Sequence, residues 1–302
     1  MALSTSATLP NDIAEGRLAS MKRLLRGCLT GMALALAPVP ALAVTGGRPS
    51  QDPDGIRRSV VLIESSQGEV CSGAVIGPDL ILTAAHCVLQ RAAYRVVGVD
   101  RRFRKRGVRV LAAALHPSFV PGTTPRTQPG IDLAILKLAE PLGPEFRPLS
   151  PTTTYGLGEG ELVDLAGFGL SAEAARGSAR VLRTTRLVSL GTLQAANRVV
   201  VVADERRLAE TTGAGACRGD SGGPILRGGP DEYQLLGIVS WSSGALRSRT
   251  PTACGGLTAV TPVSEHQDWI LARARDLRRL EAEQAIGVAR QQPAPRTEWS
   301  IR

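Results

Sequence analysis

Ala216-Cys217-Arg218-Gly219-Asp220-Ser221-Gly222-Gly223-Pro224 sets one serine at the centre of a glycine-dense loop, with the strand-like pair Ile225-Leu226 behind it. A serine hydroxyl alone is a poor nucleophile; it needs a base to take its proton and donors to receive the oxyanion it creates. The flanking glycines let the backbone turn tightly, so the N–H groups of Gly219 and Ser221 can converge on one small space where a carbonyl oxygen fits. Alone, the loop reads equally well as a glycine-rich surface turn, so the rest of the chain must supply a base and an acid to orient it.

Both are present. Thr83-Ala84-Ala85-His86-Cys87 follows the apolar run Leu80-Ile81-Leu82 and carries one of only three histidines in 302 residues. Asp132 interrupts the apolar stretch Ile131 to Leu136, where a carboxylate is costly unless hydrogen-bonded, and an imidazole N–H is a suitable donor. The order His86, Asp132, Ser221 is that of a chymotrypsin-like triad. On these motifs the chain resembles the trypsin/chymotrypsin-like serine proteases of secreted, bacterial type, over roughly Val44 to Leu271.

Composition and patterning agree. A chain 43% hydrophobic can bury a large core, and 33 Gly with 20 Pro supply turns between short strands. Apolar runs at Ser59–Ile63, Cys71–Ile76, Leu80–Thr83, Tyr94–Val99, Val108–Leu115 and Leu133–Leu138 predict one antiparallel barrel. Glu161–Phe168, Val181–Leu190, Arg198–Val202, Pro224–Leu226, Leu235–Trp241 and Gly256–Val263 predict a second. The expected fold is therefore all-β, two six-stranded antiparallel Greek-key β-barrels with a C-terminal α-helix, the triad lying between them. Ser264-Glu265-His266-Gln267 reads as a capping box opening that helix, with His266 in its exposed first turn. The barrels are expected at about 44–140 and 141–263, within a domain spanning 44–271. Residues 272–302 then form a helix extension and tail.

Residues 1–43 read as an N-terminal extension and secretory signal. Met21-Lys22-Arg23-Leu24-Leu25-Arg26 looks like a second start, followed by an apolar stretch from Gly27 to Ala37 and Ala41-Leu42-Ala43, an A-x-A cleavage site. The apolar stretch is too short to span a bilayer. Cys28 precedes that stretch rather than following it, which argues against a lipid-attachment site. Cleavage after Ala43 exposes Val44-Thr45-Gly46-Gly47, and the product is expected to be secreted or periplasmic. The resemblance implies that the new Val44 amine pairs with Asp220 and orders the oxyanion loop.

With Cys28 removed, four cysteines remain, and spacing alone allows three pairings. The resemblance selects Cys71 with Cys87 and Cys217 with Cys254, cross-links suited to an oxidising compartment. It also places Gly215 at the floor of the primary specificity pocket, Ser242 and Thr258 on its walls, and the Ser240-Trp241-Ser242 backbone along an extended substrate. No carboxylate stands at that floor to hold a substrate cation, so small or medium apolar side chains are expected before the cut bond. His116-Pro117-Ser118-Phe119 resembles a structural segment preceding the aspartate. The run Arg101 to Arg106 holds five cations in six positions and cannot serve as a calcium loop.

The expected activity is serine endopeptidase, with protein or peptide substrates, a monomer, no cofactor, no metal, no nucleic acid, no membrane span, and a protein inhibitor as a possible partner. One alternative stands beside it. The formal charge is +9, almost all of the excess arginine, and residues 1–43 carry four basic and two acidic residues, leaving +7 beyond them. Such a surface suits a catalytically weak binding protein that attaches to anionic polymers.

Overall fold

The computed structural model describes residues 44–50, 55–100, 102–152, 156–229 and 232–291. The expected signal segment and the tail beyond Gln291 lie outside them. A two-residue strand β1 (Arg48–Pro49) is followed by β2 (Val60–Ser65), β3 (Val70–Gly77), β4 (Leu80–Thr83), β5 (Tyr94–Val99), β6 (Lys105–Leu115) and β7 (Ala134–Leu138). β2 to β7 close an antiparallel barrel in the order β2-β3-β4-β7-β6-β5. β8 (Leu162–Gly167), β9 (Arg183–Gln194), β10 (Arg198–Ala203), β11 (Pro224–Arg227), β12 (Gln234–Ser242) and β13 (Thr258–Pro262) repeat that order as β8-β9-β10-β13-β12-β11. The ring is closed where β8 pairs with both β9 and β11, and β1 adds to the edge of β9.

The strands form where the sequence offers apolar runs that closure can bury on the inside. Leu80, Ile81, Leu82, Ile135 and Leu136 are fully buried in the hydrophobic cluster of the first barrel, and β4 pairs directly with β7. Val163, Leu165, Ile225, Leu236 and Val260 do the same in the second. Each fully buried aliphatic side chain contributes about 1.5–3 kcal/mol relative to exposure, and barrel closure leaves few strand edges for solvent or other chains. Val44 belongs to the second core, and Thr45 bridges Gly215 through Gly215 N donating to Thr45 O at 3.0 Å.

The C-terminal helix α1 (Gln267–Gln291) follows the second barrel yet packs on the first. Ile270, Ala274 and Leu277, one helical stripe, are buried. His266 lies just before the helix and is half-buried, not exposed as the sequence suggested. Its ring meets His116 edge-on with centroids 5.4 Å apart, and Trp269 covers the other side of His116 at 4.7 Å. Burial lowers the pKa of His266 and, together with the neighbouring His266 charge, that of His116, to about 4. Both disulfides form as the resemblance implied, Cys71–Cys87 and Cys217–Cys254, with Cα atoms 6.1 and 4.2 Å apart.

Candidate active site

Three connections bring the expected residues together. His86 sits on a short 3-10 turn, Ala85–Val88, directly after β4, and the Cys71–Cys87 bridge ties that turn to β3. Asp132 lies just before β7, next to β4 in the barrel, so the two side chains are neighbours despite their separation in the chain. Ser221 comes from the second barrel, on the long connection entering β11. Gly222 N donates to Val239 O at 2.7 Å and Ser72 N to Ser221 O at 2.8 Å, which pins the loop to both barrels.

Asp132 is completely buried and receives three donors. His86 Nδ1 donates to its Oδ2 at 2.8 Å, the His86 backbone N to Oδ1 at 3.0 Å, and Ser240 Oγ to Oδ2 at 2.6 Å. Burial opposes its charge. The His86 charge and these hydrogen bonds outweigh that, so the carboxyl titrates below the ordinary aspartate range. The result is a fixed anion that orients the imidazole through Nδ1, with Nε2 3.8 Å from Cys87 Sγ. His86 and Ser221 line one cavity of about 350 Å³, together with Val70, Cys71, Arg218 and Gly219. Ser221 Oγ has no hydrogen-bond partner among the described residues, an arrangement common in sites without substrate.

The backbone amides of Gly219 and Ser221 are likewise unused as donors among the described residues, while those of Asp220, Gly222 and Gly223 donate to Cys217 O, Val239 O and Asp220 O. Gly219 adopts φ +97°, which only glycine does without strain. Its carbonyl accepts Ser72 Oγ at 2.9 Å, and Ser72 Oγ in turn accepts Phe168 N at 2.9 Å, so one hydroxyl buttresses the loop from β3. Nothing in the sequence pattern singled out Ser72 for this.

Asp220 is the second buried carboxylate. Gly169 N donates to its Oδ1 at 2.8 Å and Cys217 N to its Oδ2 at 2.9 Å. A Cβ on either Gly167 or Gly169 would collide with the carboxyl group, so the glycine pair forms its cradle. Burial pushes its pKa up to about 7, against the pull of these two amides and of the Arg183 charge. Arg183 is itself buried and bonds the carbonyls of Ser178 and Val181, each at 3.0 Å. Val44, the expected partner, is buried in the same barrel with φ +48°, an outlier for a β-branched residue.

At the candidate specificity pocket, Ser242 and Thr258 are direct cross-strand partners. Thr258 is fully buried, and its Oγ1 accepts Ala216 N at 3.0 Å. A Cβ on Gly215 would lie 3.3 Å from Gly256 O and 3.5 Å from Thr258 Oγ1, so the space beside Gly215, the expected floor, is narrow and its nearest atoms are uncharged. Ser242 Oγ donates to Ala253 O at 2.5 Å, which fastens the wall to the far end of the insertion 243–253. Glu173 braces the same rim by accepting Arg218 Nε at 2.7 Å and Ala253 N at 2.9 Å. Among the described residues the two groupings with metal-ligand spacing, Cys71–His86–Cys87 and Glu173–Cys217–Cys254, consist of a disulfide and one neighbour and offer no thiolate.

The family model described as Trypsin matches residues 44–270. Among curated proteins, the chain is 28% identical over 227 residues to trypsin alpha-4 of Lucilia cuprina, covering 71% of this chain and 81% of that one. It is 26% identical over 227 residues to the complement C1s-1 subcomponent of Mus musculus, 66% of this chain, and there spans only 31% of the relative's length. Among solved structures, mouse neuropsin, a serine protease, superposes with a TM-score of 0.60 at 19% identity, covering 76% of this chain and all of that one. A mutant of human heparin binding protein superposes with a TM-score of 0.56 at 22% identity, covering 76% and 95%. At these identities the structural likenesses establish the fold.

Proposed function

The chain belongs to the trypsin family, and from that premise we propose that it is a secreted or periplasmic serine endopeptidase whose catalytic residues are His86, Asp132 and Ser221. The observation that carries the reading is the buried Asp132, which holds His86 Nδ1 at 2.8 Å, with His86 and Ser221 lining one cavity. His86 takes the Ser221 proton as Oγ attacks a peptide carbonyl. The oxyanion is held by the amides of Gly219 and Ser221; His86 protonates the leaving amine and then activates the water that hydrolyses the acyl-enzyme. The chemistry is complete with protein groups alone.

Bond choice follows from the pocket. With Gly215 at an uncharged floor and Thr258 filling it from the side, a substrate arginine would be buried without a counter-charge, whereas alanine or valine fits. Activation follows from the N-terminal segment. Cleavage after Ala43 removes the strained φ of Val44 altogether and creates an amine on a residue buried in the second core, which pairs with Asp220 in this reading. The ion pair so formed resolves the state of a carboxylate otherwise buried with two amide donors and only a through-space cation.

The test is covalent labelling by a serine-directed fluorophosphonate together with peptide hydrolysis, on protein beginning at Val44. Labelling and turnover are expected in the native chain and absent in Ser221→Ala; undiminished hydrolysis by that variant would refute the assignment. A chain that neither labels nor cleaves but is retained by sulfated polysaccharide would instead be the arginine-rich binding protein of the alternative reading.

A further inference from the structure

The strand that carries Ser240 continues past the candidate site into a second cavity. β12 pairs with β13 along its whole end, through Trp241↔Ala259 and Ser242↔Thr258, but its pairing with β11 stops at Ile238. From Ser240 to Ser242 its other edge is therefore open to receive an extended peptide. Ser240 lies against the triad acid. Ser242 is two residues, about 7 Å, further along, so on the protease reading a peptide paired with this edge would reach it with a residue several positions before the cut bond.

That position is already occupied by a cation. Arg126, from the loop between β6 and β7, donates from Nη2 to the Ser242 carbonyl at 2.9 Å, and its guanidinium lies 5.3 Å from the centre of the Trp241 ring. Beyond it opens a cavity of about 530 Å³, walled by the insertion 243–253 and lined by Trp241, Ser243, Leu246, Arg249 and Thr250 among others. Among the described residues, Arg126 and Arg249 are the only charged ones lining it. Arg249 has no ion-pair or hydrogen-bond partner among the described residues, unlike Arg247 beside it, which is paired with Glu210 at 2.6 Å. Trp241 also carries a buried indole N–H without an acceptor among the described residues. The cavity thus offers two guanidinium groups, hydroxyls and an apolar wall, and no carboxylate.

We infer that this cavity is a recognition site for an acidic substrate side chain, glutamate or aspartate, three or four residues before the cut bond, with Arg126 and Arg249 as its specificity-determining residues. The inference rests on the protease reading. The Ser242 carbonyl has two lone pairs, so Arg126 and a substrate N–H can share it, and the second edge of the guanidinium remains free to take a carboxylate in a charge-assisted bond. The planar fork and the Trp241 face hold the group in place in a way that a lysine ammonium would not reproduce.

Binding is measured first, so that the result does not depend on turnover. Labelled peptides identical except for Glu, Gln or Lys at the third or fourth position before an Ala are titrated by anisotropy into the Ser221→Ala variant. The Glu peptide is expected to bind about fivefold more tightly than the Gln peptide and the Lys peptide more weakly still, with the preference shrinking at high salt. In Arg126→Gln/Arg249→Gln the Glu and Gln peptides are expected to bind equally, while Arg126→Lys keeps part of the preference. The same ratio is expected in kcat/KM of the native enzyme. Equal binding of the Glu and Gln peptides, or a preference that survives the double substitution, would overturn the site. Selective binding without cleavage would leave the site standing and remove the protease reading; cleavage without acid selectivity would do the reverse.

Discussion

The Asp220 carboxyl makes the two N-terminal forms of the protein respond to pH in different ways. In a chain that continues before Val44, Asp220 is buried with a pKa of about 7 in place of the ordinary 3.8. The folded state therefore binds this proton more tightly than the unfolded state. Below pH 3.8 both are protonated and nothing is lost; between about 4 and 7 the unfolded chain gains by ionising while the folded chain does not. Stability falls by about 1.36 kcal/mol per unit, reaching a loss on the order of 4 kcal/mol above pH 7. For a domain of this size that corresponds to roughly 10 °C in Tm. In the form that begins at Val44 the proposed amine counter-charge is expected to abolish the loss. Thermal unfolding of both forms at pH 4.5 and 7.5, compared as a difference so that the other carboxylates cancel, reads the effect directly. Asp220→Asn sharpens it, because the signs are opposite. At pH 7.5 the substitution is expected to stabilise the extended form by removing a poorly compensated carboxylate. It is expected to destabilise the Val44 form by about 3–5 kcal/mol by stranding a buried ammonium. The same sign in both forms, or parallel pH profiles, would refute the pairing of Val44 with Asp220.

Two further outcomes follow from the site. Ser240→Ala removes the 2.6 Å donor to Asp132 and leaves the fold intact, so kcat/KM is expected to fall about tenfold, the cost of one hydrogen bond to a charged group, with fluorophosphonate labelling slowed in proportion; an unchanged rate would show that the two His86 donors alone fix the acid. Thr258→Gly empties the side of the pocket and releases Ala216 N, and is expected to shift preference from Ala and Val towards Leu and Phe by about 10-fold without admitting Arg; peptides differing only in the residue before the cut measure it, and a gain on Arg would disprove the uncharged floor.

The sequence made the fold legible because barrel strands declare themselves locally. β4 and β7 are nearly unbroken apolar runs, and a buried run that ends in His86 or begins after Asp132 has to place those polar residues at the barrel's mouth. The family resemblance then selected one of three cysteine pairings, which spacing had left open. What stayed hidden are contacts made by ordinary residues across long separations. Ser240 Oγ reaches Asp132 across 108 residues, Arg126 reaches Ser242 across 116, and Ser72 reaches Gly219 across 147. A serine or arginine carries no local pattern announcing such a partner, and these meet only because each closed barrel brings its loops to the face that the other barrel also meets. His266 shows the same limit from the other side. A capping-box pattern placed it on an exposed first turn, but the helix it precedes docks on the first barrel, not on solvent, and so covers His266 with His116. Long-range closure thus determines both which polar groups become buried and which surface cations, like Arg126, end against the strand that carries Ser240. For that reason the candidate catalytic residues can be named from motifs, while the residues that touch them have to be found in the assembled barrels.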